Sequence, residues 1–480
     1  MNPLLWLFAL PLLMAVLGLF PRTAKWLPST AAALMLLQLP VALRICWPVL
    51  SGFTYPRGDF SLDGPGAAFV LITTLVATAA IIQSALLLPA ERTGEHAVSV
   101  RRFCLFYSLA GLFLMAMYAV LLAQNLGFLW IAMEATTLMS APLVYYHRSR
   151  RSLEATWKYL LLCSVGIAFA LFGTVLIFAA QHGAGDGGTL LLPDLLTRAT
   201  QLDPRLLRLG FIFCLLGYGT KAGLFPLHNW LPDAHSEAPA PASAMLSGAL
   251  LNCALVAIWR LSGLVSAAGQ PELVRQLLVP AGAITVLAAS LMLVRQHDLK
   301  RLWAYSSVEH VGLLTLAIGL GSGPIFILHA LNHSLIKVAL FLLAGNILYR
   351  YGTKRLHKLS GLLTGAPAWG LLLAAASFAI AGSPPFGTFL SEWLLLRDTF
   401  AAREMLAAGV VIAGLTITFI AIAIHVGGVL FGSPPTASRP PSPRSWTVVP
   451  AILVGLSVAA GLLLAPAAMA LLARLAQGGM

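Results

Sequence analysis

Charged residues are scarce in this sequence. Of its 480 residues, 10% are Asp, Glu, Lys or Arg, 59% are hydrophobic, and the mean hydropathy is +0.87. A soluble globular domain has about 25% charged residues, so this composition excludes a soluble domain. A glycine-rich phosphate loop between a strand and a helix is also absent, which argues against nucleotide binding.

Cysteine offers no source of redox chemistry either. The five cysteines are scattered in or beside apolar runs, without a C-x-x-C pair or a histidine at metal-ligand spacing: Cys46, Cys104, Cys163, Cys214 and Cys253. This arrangement indicates neither a disulfide framework nor an iron–sulfur cluster. We therefore expect no metal site, no cofactor and no redox catalysis in this chain.

Long apolar runs are what the sequence has in abundance. They recur from end to end at roughly 18 to 25 residues each, long enough to cross about 30 Å of hydrocarbon as helices. We count 14, centred near residues 11, 38, 78, 113, 136, 168, 214, 250, 286, 311, 337, 382, 418 and 459. The first lacks a basic n-region, so we interpret it as a span rather than a signal peptide. The sequence predicts an all-α polytopic membrane bundle.

The basic residues predict how this bundle lies in the membrane. If the N-terminus is outside, the loops that face the cytoplasm contain 18 Lys or Arg, against 9 on the opposite side. The positive-inside rule then predicts that both termini lie outside the membrane. Because this rule accounts for the basic residues, and few aromatic residues lie among them, we expect no nucleic-acid partner.

Ionisable residues inside the predicted spans are the informative positions. An unpaired charge at the bilayer centre costs about 2.5–3.5 kcal/mol on insertion scales, so such residues usually line an ion or proton path. The set comprises Glu134, Lys221, Glu309, His310, His329, His333, Lys337, Glu392 and His425. Three of them, His329, His333 and Lys337, recur at i, i+4 and i+8 and therefore share one helix face.

Each position also has a purely structural explanation. Glu134 can belong to a structural ion pair, and Lys221 can cap carbonyls at a helix break. The histidine–lysine stripe can supply interhelical hydrogen bonds. The remaining residues can lie near water or stand alone. The residue types leave both explanations open.

Two predicted spans contain helix breaks. The seventh is interrupted at Gly-Leu-Phe-Pro, from Gly223 to Pro226, and the twelfth at Gly-Ser-Pro-Pro-Phe-Gly, which contains Pro384 and Pro385. Each break frees backbone groups that lipid cannot satisfy. Broken spans at corresponding positions indicate the site and the hinges of a transporter.

An internal repeat is indicated by the spacing of the polar residues. Three pairs are 175, 171 and 173 residues apart: Glu134 and Glu309, Lys221 and Glu392, and Asn252 and His425. We expect one offset near 173 to superimpose these positions and both breaks. The offset spans five helices, and an odd number inverts the second copy relative to the first.

The repeat predicts the organisation of the chain. A three-helix extension would occupy residues 1–100, the first repeat (helices 4–8) 101–262, and the second, inverted repeat (helices 9–13) 263–432. A loop and helix 14 would follow over 433–480.

Five segments resemble the antiporter-like membrane subunits of respiratory complex I. They are GYGTKAGLFPLHNWLPDAHSEAPAPASAMLSG, LWIAMEATTLMSAPLV, HDLKRLWAYSSVEHVG, LNHSLIKVALFLLAGNI and SPPFGTFLSEWLLL. The same family includes the Mrp cation/proton antiporters and membrane-bound group 4 nickel–iron hydrogenases. The resemblance covers roughly residues 100–430. Within the family, SVEH, HSEAPAP and the number of spans look most like the F-type membrane subunit of hydrogenase-4 and formate hydrogenlyase-like complexes.

The resemblance implies a proton-pump module of a redox complex, either a hydrogenase or an NADH-quinone oxidoreductase-like enzyme. Nickel–iron and iron–sulfur centres would then lie in partner subunits. Those partners would be other hydrophobic membrane subunits and a hydrophilic electron-transfer arm. The transported ion would be H⁺, with Na⁺ as the alternative.

The resemblance also implies roles for individual residues. Glu134 matches the fifth-span glutamate and Lys221 the seventh-span lysine, a pair that exchanges charge during pumping. The stripe of His329, His333 and Lys337 matches the eleventh span, and Glu392 matches the terminal group of the twelfth.

One position departs from the family. Asn252 stands where most members have a lysine or histidine in the eighth span, and an amide does not carry a proton by titration. A relay would need water around Asn252, or help from Glu309 and His310. Three functions therefore stay open: a pumping subunit of a redox complex, a subunit of a secondary Na⁺/H⁺ antiporter, and a non-pumping membrane anchor.

Overall fold

The computed structural model describes residues 3–53, 55–56, 58–92, 98–181, 188–435, 443–463 and 466–477. In this part the chain forms twenty α-helices. The first seven are α1 (Trp6–Gly18), α2 (Leu27–Leu50), α3 (Gly64–Glu91), α4 (Val100–Leu122), α5 (Leu126–Val144), α6 (Arg150–Ala179) and α7 (Leu192–Thr197).

The middle of the chain contains α8 (Pro204–Ala222), α9 (Trp230–Glu237), α10 (Ala240–Met245), a π-helical turn (Leu246–Leu250), α11 (Leu251–Ala267), α12 (Pro271–Val294), α13 (Leu299–Gly319) and α14 (Gly323–Tyr351). The last six helices are α15 (Leu362–Gly365), α16 (Pro367–Ile380), α17 (Gly387–Ala401), α18 (Met405–Leu430), α19 (Val448–Leu462) and α20 (Pro466–Gln477).

The helices confirm the predicted membrane bundle. Ten helical segments in the described part are long and apolar enough to cross a membrane by length and composition: α2 to α6, α10 with α11, α12, α14, α18 and α19. The other four predicted spans fall on α1, on α8 with α9, on α13, and on α16 with α17. Of these, α1 is short, α13 contains charged residues, and the other two are the predicted broken helices.

The C-terminal region contains one helix more than predicted. After α19, the twelve-residue α20 packs against α3 and α14. Its Leu475 and Ala476 lie so close to Gly64 and Gly323 that a Cβ on either glycine would clash with them. Twelve residues are too few to cross a bilayer, so no apolar run of membrane-spanning length marks this helix in the sequence.

Two helices at the centre of the bundle are surrounded by protein. In an 18-residue apolar stretch of the α10–α11 helix 100% of the residues are buried, and in the corresponding stretch of α14 94% are buried. Polar side chains on these helices therefore face other helices instead of lipid. Their position allows the bundle to hold ionisable groups at membrane depth.

The two five-span units have the same order of helices and opposite directions. Each has three continuous helices, a broken helix and a final helix: α4, α5, α6, α8 with α9, and α10 with α11, then α12, α13, α14, α16 with α17, and α18. At the start of α4, Arg102 donates to the carbonyl of Tyr146 on one face. Just before α12, Gln270 donates to the carbonyl of Pro204 on the other face. The two units are therefore inverted.

The single offset near 173 is wrong for the breaks. Gly223 and Gly382, which have positive φ angles of 88° and 72°, are 159 residues apart. Lys221 lies in the last turn of α8, before its break. Glu392 lies in the second turn of α17, after its break. The two charges therefore occupy opposite halves of their broken helices, and only the glycine hinges correspond directly.

The backbone groups freed at the first break are satisfied by protein. Trp230 Nε1 of α9 donates to the carbonyl of Thr220 in α8 at 2.8 Å. The Phe225 N–H donates to Thr285 Oγ1 of α12 at 3.2 Å. The break is therefore closed partly by the neighbouring unit.

The second break is capped in the same manner. Thr388 Oγ1 donates to the carbonyl of Ala379. His310 Nε2 of α13 lies 3.1 Å from the carbonyl oxygen of Ile380. An ionisable side chain thus caps this break, which gives His310 a place in the site described below.

A buried ion pair joins α3 to the first five-span unit. Arg260 of α11 is 1% exposed, and its Nη2 lies 2.9 Å from Oδ1 of Asp63, the N-cap residue of α3. The same guanidinium donates to the carbonyls of Val120, Leu121 and Ala123 at the end of α4. One arginine in the middle of α11 therefore holds the start of α3 and the end of α4 together.

We expect Asp63→Asn to destabilise the fold by about 3 kcal/mol, because removal of one partner leaves a buried guanidinium uncompensated. The amide keeps an oxygen for the N-cap bond to Gly66. Asp203→Asn is the matched control, since Asp203 caps α8 through the backbone N–H groups of Arg205 and Leu206. The measurement is the thermal unfolding midpoint of the full-length chain in mild detergent. Equal shifts in the two variants would contradict the role of the ion pair.

Candidate functional site

The first cluster of polar groups surrounds Lys221 at the end of α8. This side chain is fully buried, and its Nζ donates to Thr137 Oγ1 at 2.8 Å and to the Tyr159 hydroxyl at 2.9 Å. Thr137 Oγ1 in turn donates to Oε2 of Glu134 at 3.3 Å. Among the described residues, Glu134 and Lys221 form no direct ion pair, because the Thr137 hydroxyl lies between them. Lys221 also binds hydroxyls and does not cap carbonyls.

The hydroxyls of this cluster continue beyond Lys221. The Tyr159 hydroxyl lies 2.7 Å from Ser140 Oγ, which itself donates to the carbonyl of Thr136. Because that hydrogen is committed, Tyr159 donates to Ser140. On the other side of Glu134, Ser164 Oγ donates to Oε1 at 2.9 Å. Charge and hydroxyl groups therefore form one connected network across α5, α6 and α8.

The sequence contained a signal for this network that we missed. Glu134, Thr137 and Ser140 recur every three residues on α5 and share one helix face. Tyr159 on α6 has no comparable local signal, because only packing against α8 brings it to Lys221.

The centre of the bundle contains Lys337 and Asn252. Lys337 of α14 is fully buried and donates to the carbonyl of Trp303 at 3.0 Å. Asn252 of α11 follows the π-helical turn, and its Nδ2 donates to the Gly248 carbonyl at 3.0 Å and to Ser334 Oγ of α14 at 2.9 Å. The amide therefore links the central helices α11 and α14.

The second cluster contains the histidines and Glu392. His310 Nδ1 and His329 Nε2 lie 2.9 Å apart, and His329 Nδ1 lies 2.8 Å from Ser391 Oγ of α17. The His333 ring centroid is 5.3 Å from that of His310. The structure therefore brings together four of the predicted residues: His310 of α13, His329 and His333 of α14, and Glu392 of α17.

The carboxylate of Glu392 folds back onto the second break. A Cβ on Gly382 would overlap its Oε2. Glu392 is 6% exposed, and with Trp393 and Thr416 it lines a cavity of about 290 Å³. Because Trp393 is 62% exposed, this cavity lies at the lateral surface of the bundle.

Several buried polar atoms of the site lack a hydrogen-bond partner among the described residues. They are Asn252 Oδ1, both carboxylate oxygens of Glu309, both ring nitrogens of His333 and Oε1 of Glu392. Glu309 is fully buried and lies in the middle of α13.

Ion pairs anchor the second half of the first broken helix. Asp233 of α9 contacts Lys158 of α6 at 3.1 Å and Arg301 of α13 at 2.8 Å. Glu237, at the end of α9, contacts Lys354 at 2.9 Å. Since α6 and α13 belong to different five-span units, α9 connects them.

One ionisable residue weighed from the sequence lies outside these clusters. His425 of α18 is partly exposed, and its Nε2 contacts the Val294 carbonyl oxygen at 3.0 Å. It therefore behaves as an isolated surface histidine.

We expect Gly382→Ala to displace the Glu392 carboxylate, because the added Cβ would overlap Oε2. The positive φ angle adds about 1–2 kcal/mol of backbone strain. Gly321→Ala is the matched control, with φ of 68° and nothing within 4 Å of its Cβ. The measurements are the unfolding midpoints of both variants and a structure of Gly382→Ala. An unmoved carboxylate would refute the contact.

Comparisons with known proteins agree with this geometry. A family model described as "NADH:quinone oxidoreductase/Mrp antiporter, TM" matches residues 123–420. The chain is 40% identical to a hydrogenase-4 component F homolog of Methylacidiphilum infernorum, over 80% of this chain and 82% of that protein. It is 30% identical to a Na(+)/H(+) antiporter subunit of Alkalihalophilus pseudofirmus, over 88% of this chain and 54% of that protein.

The fold is also similar to a solved structure. A chain of the membrane-bound sulfane sulfur reductase, an archaeal respiratory membrane complex, superimposes with a TM-score of 0.87 at 24% identity, over 99% of this chain and 97% of that chain. The resemblance of the five segments is thereby confirmed. This chain belongs to the family of NADH:quinone oxidoreductase/Mrp antiporter membrane subunits.

Proposed function

We propose that this chain is a proton-translocating, antiporter-like membrane subunit of a redox-driven complex of the hydrogenase-4 type. One observation carries the proposal: two networks of ionisable groups, all buried except the half-buried Glu134, lie at the two helix breaks, and Asn252 and Lys337 lie on the central helices between them. The identity to a hydrogenase-4 component F homolog supports the type of complex.

The redox chemistry belongs to other subunits in this proposal. Nickel–iron and iron–sulfur centres would lie in partners, namely a hydrophilic electron-transfer arm and further hydrophobic membrane subunits. This chain would contribute the movement of protons and no redox step of its own.

Two of the buried lysines, Lys221 and Lys337, are bound by neutral groups. Lys221 donates to two hydroxyls and Lys337 to a backbone carbonyl. A direct carboxylate partner would hold the proton on a lysine, whereas neutral acceptors leave both protonation states accessible. This chemistry suits a lysine that takes up and releases a proton in each cycle.

The first network acts as a switch in this proposal, because only the Thr137 hydroxyl separates Glu134 from Lys221. When Glu134 closes on Lys221, its charge stabilises the protonated lysine; when Glu134 withdraws, Lys221 releases its proton towards the centre of the bundle. Glu134 lies on α5 and Lys221 on α8, and the break after Gly223 allows α8 to move relative to α5. One charge that crosses the membrane against 100 mV costs about 2.3 kcal/mol, a magnitude within reach of one buried charge pair.

Water completes the path past Asn252 in this proposal. A buried polar atom without a partner costs about 1–3 kcal/mol, and buried water is the usual remedy. Asn252 Oδ1, the Glu309 carboxylate and the His333 ring each need such a partner. Bridging waters would conduct a proton from Lys221 past Asn252 to Lys337 and the histidines, with Glu392 as the last group.

The organisation and orientation of the chain are part of the proposal. We infer an extension over 1–100, repeats over 101–262 and 263–432, and a C-terminal part over 433–480. The helix order of the two units supports these bounds. The bias of 18 against 9 basic residues supports both termini outside the cytoplasmic membrane.

The second candidate is a component of a Na⁺/H⁺ antiporter. The similarity to the antiporter protein of Alkalihalophilus pseudofirmus favours it, although this chain spans about half of that relative. Lys221 and Lys337 favour a proton path, because an ammonium group exchanges protons but has no lone pair with which to coordinate a metal cation. The composition of the purified complex separates the candidates, since only the first requires a co-purifying nickel–iron arm. A non-pumping membrane anchor would show neither Na⁺ nor H⁺ movement.

We expect Lys221→Ala and Glu134→Gln each to lower the number of protons translocated per electron in the assembled complex. Both changes remove the charge exchange while the electron-transfer subunits stay intact. Glu154→Gln and Lys25→Ala are the controls, because both residues are exposed. Wild-type proton stoichiometry in both site variants would show that the proposed switch is wrong.

A further inference from the structure

Three helices bring metal-binding atoms together in the second cluster. One ring nitrogen each of His310 and His329 and a carboxylate oxygen of Glu392 all lie within 4.8 Å of one another. These residues are 0%, 1% and 6% exposed. The sequence predicted no metal site because local spacing cannot reveal ligands that come from three separate helices, here α13, α14 and α17.

A hydrogen bond fixes the tautomer of His310. Its Nε2 lies 3.1 Å from the Ile380 carbonyl oxygen, which only accepts hydrogen bonds. Nε2 therefore carries the hydrogen. In the neutral ring, Nδ1 then presents a lone pair towards His329.

A second hydrogen bond orients His329. Its Nδ1 lies 2.8 Å from Ser391 Oγ, and that hydroxyl lies 3.1 Å from the Gly387 carbonyl and 2.9 Å from the Thr388 carbonyl. When Ser391 donates to one of these carbonyls, His329 Nδ1 donates to Ser391 and Nε2 presents a lone pair. Two lone pairs then face each other across 2.9 Å.

When Ser391 donates to His329 Nδ1 instead, the neutral His329 ring carries its hydrogen on Nε2 and donates it to His310 Nδ1. When Ser391 donates to a carbonyl, the two lone pairs are available to a metal ion. Histidine ligands of metals typically donate their other N–H to a carbonyl or a similar acceptor, the arrangement found here at both rings.

Glu392 supplies the third ligand. Its Oε1 has no hydrogen-bond partner among the described residues, and the side chain lines the lateral cavity of about 290 Å³. Zn²⁺ binds histidine nitrogen and carboxylate oxygen at about 2.0–2.2 Å, which places tetrahedral ligand atoms about 3.4 Å apart. Small side-chain movements reach that spacing.

We propose that His310, His329 and Glu392 form a binding site for a divalent transition-metal ion of the Zn²⁺ class. Two imidazoles and one carboxylate select Zn²⁺ or Co²⁺ over Mg²⁺ and Ca²⁺, which prefer sets of oxygen ligands. The bound ion takes the place of the proton between the rings and ties up the Glu392 carboxylate. It therefore blocks proton transfer at this cluster, a consequence that rests on the proposed function.

The test measures Zn²⁺ binding to the resting complex, purified without a polyhistidine tag. We expect His329→Gln and Glu392→Gln to remove one high-affinity site from the wild-type stoichiometry. Ser391→Ala, which removes the bond that orients His329, should weaken Zn²⁺ binding by about 10–100-fold. His425→Gln is the matched control and should leave binding unchanged. Unfolding midpoints confirm that each variant is folded, and bound Co²⁺ should give the visible spectrum of a tetrahedral site.

Equal Zn²⁺ binding by wild type, His329→Gln and Glu392→Gln would show an adventitious ion only and overturn the site. If the site binds Zn²⁺ but translocation continues at the same rate, the block is overturned and the metal site stands. Binding is measured without turnover, so failure of the proposed pumping function leaves this result unaffected.

Discussion

The inside of this bundle offers polar atoms no solvent, and the rest of the structure follows from that constraint. Lipid and apolar side chains provide no hydrogen bonds, so each freed carbonyl and each buried charge needs a polar partner from the chain or a bound water. The two helix breaks show how the chain meets this need. Trp230 caps the first break and His310 caps the second.

The two networks solve the same problem with different groups. The first holds its lysine with threonine and tyrosine hydroxyls, and the second consists of facing imidazoles and a carboxylate. Tyr159 on α6 and His333 on α14 are 174 residues apart, so a hydroxyl in one unit corresponds to an imidazole in the other. Hydroxyls position a proton without binding it tightly, whereas imidazoles also accept it. The second network is therefore better suited to receive protons and, by the same chemistry, metal ions.

Much of the fold could be predicted from the sequence, because membrane spans depend on local composition. Every apolar run predicted as a span falls on a helix or a broken helix of the structure, and the sequences Gly-Leu-Phe-Pro and Gly-Ser-Pro-Pro mark the two breaks. The short helix α20 was missed, since it packs inside the bundle without crossing it. The common offset failed at the breaks because Lys221 precedes its glycine hinge and Glu392 follows its own.

The site could be predicted only in part. Ionisable residues in apolar runs stand out from their surroundings, so Glu134, Lys221 and the histidine stripe were found. Thr137, Tyr159 and Ser391 were not, because hydroxyl residues are common in spans and gain their meaning from contacts between helices. The pairing of His310 with His329 likewise depends on how α13 packs against α14.

The central claim is that a proton path runs through the middle of the bundle past Asn252. The most direct test is a hydrated, high-resolution map of the assembled complex. The account predicts ordered waters that join Asn252 Oδ1, the Glu309 carboxylate and the His333 ring into a continuous chain that leads from Lys221 past Lys337 to the histidines. A dry, apolar gap on both sides of Asn252 would contradict it.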